Sequence, residues 1–235
     1  ATGVRAYTAT SSQGLLLMGA VLFNIAGLRL PVVLTCGNRA VSAPINIWND
    51  QQDSLSLRDS GWIQFYVENI QEAVDFHLIA YRIAEDKNVM LPVMVCMDGY
   101  ILTHGLEVVE IPEEEMVDKF LPPYQTNYRL DVENPLTLGF LADSDYYMET
   151  RFAIQKTHKD VLKLLSKITQ EFKVIFGRDY KEGLVEAYRT EDAEKVIVAM
   201  GSVCGTIKEA VDELRKKGKK VGLLKIITYR PFPAN

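Results

Sequence analysis

The chain has 235 residues, 48% of them hydrophobic and 24% charged, with a formal net charge of −5 at pH 7. That length and balance describe a globular chain of one large or two modest domains, and no apolar run approaches the ~20 residues needed to cross a bilayer. The first residues show no charged stretch followed by an apolar segment and a cleavage site, so no secretory signal is read and the cytoplasm is the expected compartment.

Taken in chain order, residues 5–10 read as a short strand and 13–27 as a helix that is apolar nearly all round and therefore buried. Thr10, Ser11 and Ser12 stand in front of it with hydroxyls suited to capping its first amides. Residues 30–36 form a continuous apolar run, the pattern of a strand buried on both faces of a parallel sheet. Asn38 and Arg39 come directly after it, and a polar loop of amides and carboxylates occupies 46–59. An arginine just past a strand's carboxyl end stands where open α/β sheets bind ligands, and its planar fork suits a carboxylate or phosphate. Read structurally, the same arginine would pair with Asp50, Asp53 or Asp59; spacing alone leaves both readings open.

Residues 61–67 read as the next strand. Asn69, with Glu72 at the third helical position, caps a helix whose apolar stripe runs through Ile70, Ala73, Val74, His77, Leu78 and Tyr81, which packs His77 as a core residue. Residues 89–97 give a further buried strand ending at Asp98-Gly99. The acidic segment 107–123 opens a short helix as a solvated helix start, and 124–143 lacks periodicity, as a linker would. Residues 146–176 are helical up to Gly177. A buried strand at 195–200, a Gly201-Ser202 turn, a helix opened by the capping box Thr206 to Glu209 and closed by Gly218, and a return strand at 221–229 make a final βαβ unit. The glycine turn at 201–205 lacks the phosphate-loop spacings, so tight packing is the better reading. The basic run 215–220 complements a helix end rather than forming a nucleic-acid face.

Cys36, Cys96 and Cys204 are far apart and never in C-x-x-C spacing, so no iron–sulfur cluster is expected in this chain; the histidines show no metal-ligand spacing either. Asn38 and Asp98 are read as fixing loops through side-chain hydrogen bonds. For His104 a structural hydrogen bond is favoured over a proton-carrying role, because no nucleophile stands beside it.

Five ordered stretches carry a resemblance: Thr8 to Gly14, Asn38 to Asp53, Arg58 to Gln64, Asp98 to His104 and Tyr188 to Ala193. Together they resemble the alpha-type subunits of the pyruvate:ferredoxin oxidoreductases, within the thiamine diphosphate-dependent 2-oxoacid:ferredoxin oxidoreductases. The resemblance implies a pyrimidine-type thiamine-enzyme domain with a mostly parallel sheet at 1–123, a linker at 124–145 and a smaller, transketolase C-terminal-like α/β domain at 146–235. Compared with the family pattern, the early Y-P-I-T-P and V-E-S-E-H stretches and the continuation of the second domain are absent from this sequence, so the chain is not expected to be active alone.

The implied reaction is oxidative decarboxylation of pyruvate with coenzyme A and ferredoxin, with Arg39 binding the substrate carboxylate, Ser11 and Ser12 beside it, and Thr10 and Gln13 toward the cofactor. Thiamine diphosphate and Mg²⁺ would be held mainly by a beta-type subunit, and [4Fe–4S] clusters by gamma/delta-type partners, with no metal, nucleic acid or membrane bound by this chain. Relatives acting on oxalate, 2-oxoglutarate or branched-chain oxoacids, and a non-catalytic assembly module, are the alternatives.

Overall fold

The computed structural model describes residues 2–126 and 129–234. Its elements are β1 (Ala6–Thr10), α1 (Gln13–Leu17), α2 (Gly19–Gly27), β2 (Val32–Asn38), α3 (Gln52–Ser56), β3 (Ile63–Tyr66), α4 (Ile70–Ala84), β4 (Val93–Asp98), α5 (Glu114–Phe120), α6 (Tyr147–Phe176), β5 (Val185–Tyr188), β6 (Lys195–Ala199), α7 (Val203–Lys216), β7 (Val221–Ile226) and β8 (Thr228–Arg230). Two sheets result. The larger has the order β1-β2-β4-β3-β8, parallel except for β8, and the smaller has the order β5-β7-β6.

Alternation along the central strands explains why they read as unbroken apolar runs. Val33, Ile63, Phe65, Val93 and Val95 face a core shared with α4, α5 and α6, while Leu34, Cys36, Tyr66, Met94 and Cys96 face a second core with Leu15, Leu22, Ala26 and Trp62. In the second core the Trp62 indole donates to the Leu22 carbonyl at 2.9 Å, satisfying its buried N–H. The start of α4 is as expected, since the Asn69 side chain accepts from the Glu72 amide at 2.8 Å. The end of α6 is also as expected, at Gly177 with φ 78. No described helix is long and apolar enough to cross a membrane.

Several expectations give way to tertiary structure. The 13–27 helix breaks at Met18, and only its inner side is buried, leaving Leu17, Val21 and Phe23 exposed. Strand β6 is not buried: it is an edge of the smaller sheet, and Val196, Ile197 and Val198 stand open to solvent. The return strand divides at Ile227, so that β7 pairs with β5 and β6 while β8 crosses to pair antiparallel with β3. The final helix begins at Val203, which places Thr206 to Glu209 inside it rather than at its cap. Helix α6 lies beyond the expected linker, yet Ile154, Val161, Leu165, Phe172 and Phe176 pack with Phe76, Ile79 and Phe120 in the core of the larger sheet. Between α5 and α6 the described residues form no helix or strand.

His158 of α6 is 3% exposed, and its Nε2 lies 3.0 Å from the Gly61 carbonyl. Burial drives its pKa down to about 4, and the charges of Arg230, Arg29 and Arg151 push the same way. The unfolded ring takes up a proton near pH 6.5 while the folded ring stays neutral to about 4, so the stabilisation is complete above 6.5 and is lost on acidification. Stability should therefore fall by about 1.4 kcal/mol per pH unit across that window through this residue alone. Urea titrations between pH 7.5 and 4.5 check this: the gap between wild type and His158→Gln should narrow with acid, and a constant gap would contradict it.

Candidate functional site

The parallel strands β1, β2 and β4 end side by side, with Thr10 in register with Cys36 and Asn38 with Asp98. The segments leaving these strands are therefore gathered along one edge of the sheet: Ser11 and Ser12 after β1, Arg39 after β2, and Gly99 to His104 after β4. This is the carboxyl edge, where α/β sheets bind ligands.

Arg39 is half-buried there. Its Nε donates to Ser11 Oγ at 2.7 Å, and Ser11 Oγ in turn donates to the Gly37 carbonyl at 2.6 Å. Of the three acids offered as structural partners, none forms an ion pair with the guanidinium among the described residues. Asp53 instead accepts the Arg39 backbone N–H at 3.2 Å. The fork is thus braced through one nitrogen, and no carboxylate among the described residues pairs with it. It lies at the open rim of the sheet and is absent from the wall of the neighbouring hollow formed by Asn49 to Gln52, Leu55, Ser56 and Arg58.

The other predicted residues take definite places. Ser12 has φ 49 and no capping bond to α1; its backbone N–H donates to Asp53 Oδ2 at 2.9 Å, and its hydroxyl lies 2.6 Å from both the Ala40 carbonyl and Gln13 Oε1. The capping role therefore fails, because the turn is shaped by Asp53 rather than by the helix. Gln13 is exposed, and Thr10 lies against Gly14, where a Cβ would meet Thr10 Oγ1 at 2.5 Å. Neither contacts Arg39 among the described bonds.

Asn38 is buried, and its Nδ2 donates to Asp53 Oδ1 at 2.8 Å and Ser54 Oγ at 2.7 Å, a loop-fixing role. Asp98 fixes more than its own loop. Its Oδ2 accepts from both the backbone N–H and the hydroxyl of Ser202, and its Oδ1 accepts from Gln51 Nε2 at 2.9 Å. The carboxylate thereby occupies the N-terminus of α7, and Gly201, at φ 78, leaves the space in which it sits. His104 is exposed, bonded to Thr103 through Nδ1 and stacked on Tyr100, which in turn meets Trp48 at 5.6 Å.

Sequence reasoning offered Asp53 only as an ion-pair partner of Arg39, not as the fully buried acid beneath the site, and it missed a second ionic group away from the site. Glu68, Glu72 and Glu186 lie close enough together to hold a cation. The Lys225 and Lys208 ammonium groups lie among them: Lys225 contacts all three carboxylates, and Lys208 contacts Glu68 and Glu186 at 2.9 Å. Burial opposes the charge of Lys225, and Glu72 and Glu68 more than offset this, holding its pKa above the usual lysine value. The three cysteines are buried; burial pushes the Cys204 thiol up to about 12.

An open, mostly parallel sheet that carries at its carboxyl edge an arginine paired with no carboxylate among the described residues defines an α/β protein with a candidate anion site. Residues 1–170 match the family described as "Pyruvate flavodoxin/ferredoxin oxidoreductase, thiamine diP-bdg", and residues 193–235 match "Pyruvate:ferredoxin oxidoreductase core domain II". The chain belongs to the pyruvate flavodoxin/ferredoxin oxidoreductase family.

It is 56% identical over 232 residues to the pyruvate synthase subunit PorA of Methanothermobacter thermautotrophicus, covering 99% of this chain and 60% of that one. It is 54% identical to PorA of Methanocaldococcus jannaschii, with the same coverage, and 49% identical to the ketoisovalerate oxidoreductase subunit VorA of Pyrococcus horikoshii, covering 99% and 59%. The chain thus spans about three fifths of the length of these relatives. Its fold matches that of a 2-oxoglutarate:ferredoxin oxidoreductase from Magnetococcus marinus, solved with 2-oxoglutarate, coenzyme A and succinyl-CoA bound. That match has a TM-score of 0.65 at 20% identity and covers 97% of this chain and 42% of the other.

Proposed function

We propose that this chain is the substrate-orienting part of an alpha-type subunit in a multi-subunit pyruvate synthase. The reaction is pyruvate, coenzyme A and oxidised ferredoxin going to acetyl-CoA, CO₂ and reduced ferredoxin, in the cytoplasm. The observation that carries this reading is the Arg39 fork, braced by Ser11 yet unpaired with any carboxylate among the described residues. A charged fork kept free at a strand edge is ready for an external carboxylate, and two parallel N–H donors match the planar carboxylate of a 2-oxoacid.

Thiamine diphosphate, when bound, supplies the carbanion chemistry that cleaves the bond to the carboxylate carbon. The residues here fit the substrate end of such a site and not the diphosphate end: the α7 N-terminus, a natural anion cradle, is filled by the Asp98 carboxylate. The diphosphate and Mg²⁺ are therefore assigned to a beta-type partner, and electron transfer to [4Fe–4S] clusters of gamma/delta-type partners. What this chain contributes is binding and orientation. Arg39 holds the carboxylate, and Ser11 holds Arg39.

Identity is higher to the pyruvate synthase subunits than to the ketoisovalerate subunit, which favours pyruvate over a branched-chain acid. The complete complex should reduce methyl viologen with pyruvate and coenzyme A at a kcat/KM at least about tenfold above that with 3-methyl-2-oxobutanoate or 2-oxoglutarate. Equal or reversed preference would move the protein to a sister enzyme; no oxoacid-dependent reduction would make it an assembly module.

A further inference from the structure

Resting on the reading of Arg39 as the carboxylate-binding group, we infer that Asp53 is a positioning residue that sets the geometry of that group. Its carboxylate is fully buried and gathers five donors. They are the backbone N–H groups of Ser12 at 2.9 Å, Arg39 at 3.2 Å and Ser54 at 2.8 Å, the Asn38 side-chain amide at 2.8 Å and the Cys36 thiol at 3.6 Å. No lysine or arginine side chain pairs with it among the described residues. Amide and thiol dipoles hold a buried charge that would otherwise be costly to bury.

The origin of those donors gives Asp53 its role. Ser12 belongs to the turn after β1, whose neighbouring residue Ser11 supplies the oxygen that braces Arg39 Nε; Asn38 and Arg39 end β2. One carboxylate therefore ties together the backbones on both sides of the 2.7 Å contact between Ser11 and Arg39. It also holds Ser12 at φ 49, a left-handed conformation unfavourable to serine, with its N–H turned inward. Asp53 reaches the arginine through the backbone N–H and leaves the guanidinium unpaired, so the charge that fixes the origin of the side chain does not neutralise the fork. An acid salt-bridged to the guanidinium would have fixed the side chain and removed its use. Ser54, next along α3, extends the arrangement by accepting from Asn38 and bonding the Tyr66 hydroxyl at 2.8 Å.

The test is a mutant cycle in the complete, assembled oxidoreductase carrying the full-length chain. Asp53→Asn keeps the shape but replaces one acceptor oxygen with an NH₂ group that faces N–H donors. Its KM for the oxoacid should rise about tenfold, the scale of one charge-assisted hydrogen bond, with kcat within about twofold. Added to Arg39→Ala, it should raise KM by less than about twofold further, because a residue acting through Arg39 has nothing left to position.

Asp53→Glu keeps the charge and should recover part of the lost KM; it carries the same cycle if Asp53→Asn does not assemble. The inference is overturned if Arg39→Ala raises KM while Asp53→Asn leaves it unchanged, or if Asp53→Asn raises KM by the same factor with and without Arg39. In both cases the Arg39 reading survives. A KM unaffected by Arg39→Ala removes that reading, and this inference falls with it.

Discussion

Replacing Lys225 by methionine is expected to lower the folding stability by about 3–5 kcal/mol, the range for removing one partner of a buried ionic group. The Lys225 side chain has no exposed surface, and it runs from β7 into the gap between the smaller sheet and the start of α4. There its ammonium meets Glu68, which precedes α4, Glu72 in the first turn of α4 and Glu186 on β5. Burial would push the Glu68 carboxyl upward, but its bonds to Lys225 and Lys208 hold its pKa below the ordinary glutamate value. Without Lys225, Lys208 still answers Glu68 and Glu186, whereas Glu72 loses its cation and faces Glu68 across a poorly solvated gap.

Adding Glu72→Gln to Lys225→Met should therefore recover a large part of the loss, because the uncompensated charge goes with it. The Lys225→Met substitution should speed amide exchange in β5 and β7 before it affects β2 and β4, since the lysine joins the smaller sheet to the helix layer of the larger one. Denaturant titration of the single and double variants decides the matter. A Lys225→Met stability within about 1 kcal/mol of wild type would show that the ammonium is dispensable.

This ionic group also marks where the sequence stops being legible. Strands β2 and β4, buried on both faces, announce themselves as unbroken apolar runs, and α4 announces itself by Asn69, Glu72 and a one-sided stripe, because these signals are local. Lys225 does not, since a lysine in an apolar strand looks the same whether its ammonium reaches water or three carboxylates from other elements. Asp53 is hidden for the same reason: within a polar loop it resembles Asp50 and Asp59, and only the fold brings the turn after β1 down onto it.

Apolar content likewise fails to report coverage. Leu17, Val21 and Phe23 read as core but lie on helices with only one packed side, and Val196, Ile197 and Val198 of the edge strand β6 are exposed on both faces. The transfer of the chain from β7 to β8 at Ile227 carries no local mark, because both strands share one β-branched and aliphatic stretch. Arg39 is legible because its setting is local, one cation directly after a buried strand; Ser11 as its brace needs the parallel register of β1 and β2.

Arg39→Ala in the complete enzyme is expected to raise KM for the oxoacid by about 10- to 150-fold, the equivalent of about 1.5–3 kcal/mol for hydrogen bonds to a charged group. The loss should fall on KM more than on kcat. Decarboxylation drains negative charge from the carboxylate as CO₂ forms, so the guanidinium interacts more strongly with bound substrate than with the transition state, and its removal weakens binding without raising the barrier from the bound state. Arg39→Lys should recover only part of the affinity: the charge returns, but a point ammonium cannot place two parallel donors, nor present to Ser11 the Nε that fixes the fork. Ser11→Ala should act in the same direction with a smaller effect, about threefold to tenfold, because it frees the arginine without removing it. Methylguanidine added to the Arg39→Ala enzyme should lower KM again and should do nothing for Ser11→Ala, in which the site remains filled. Steady-state viologen reduction across pyruvate concentrations gives all of these values, and a kcat loss at constant KM in Arg39→Ala would place the residue outside substrate binding.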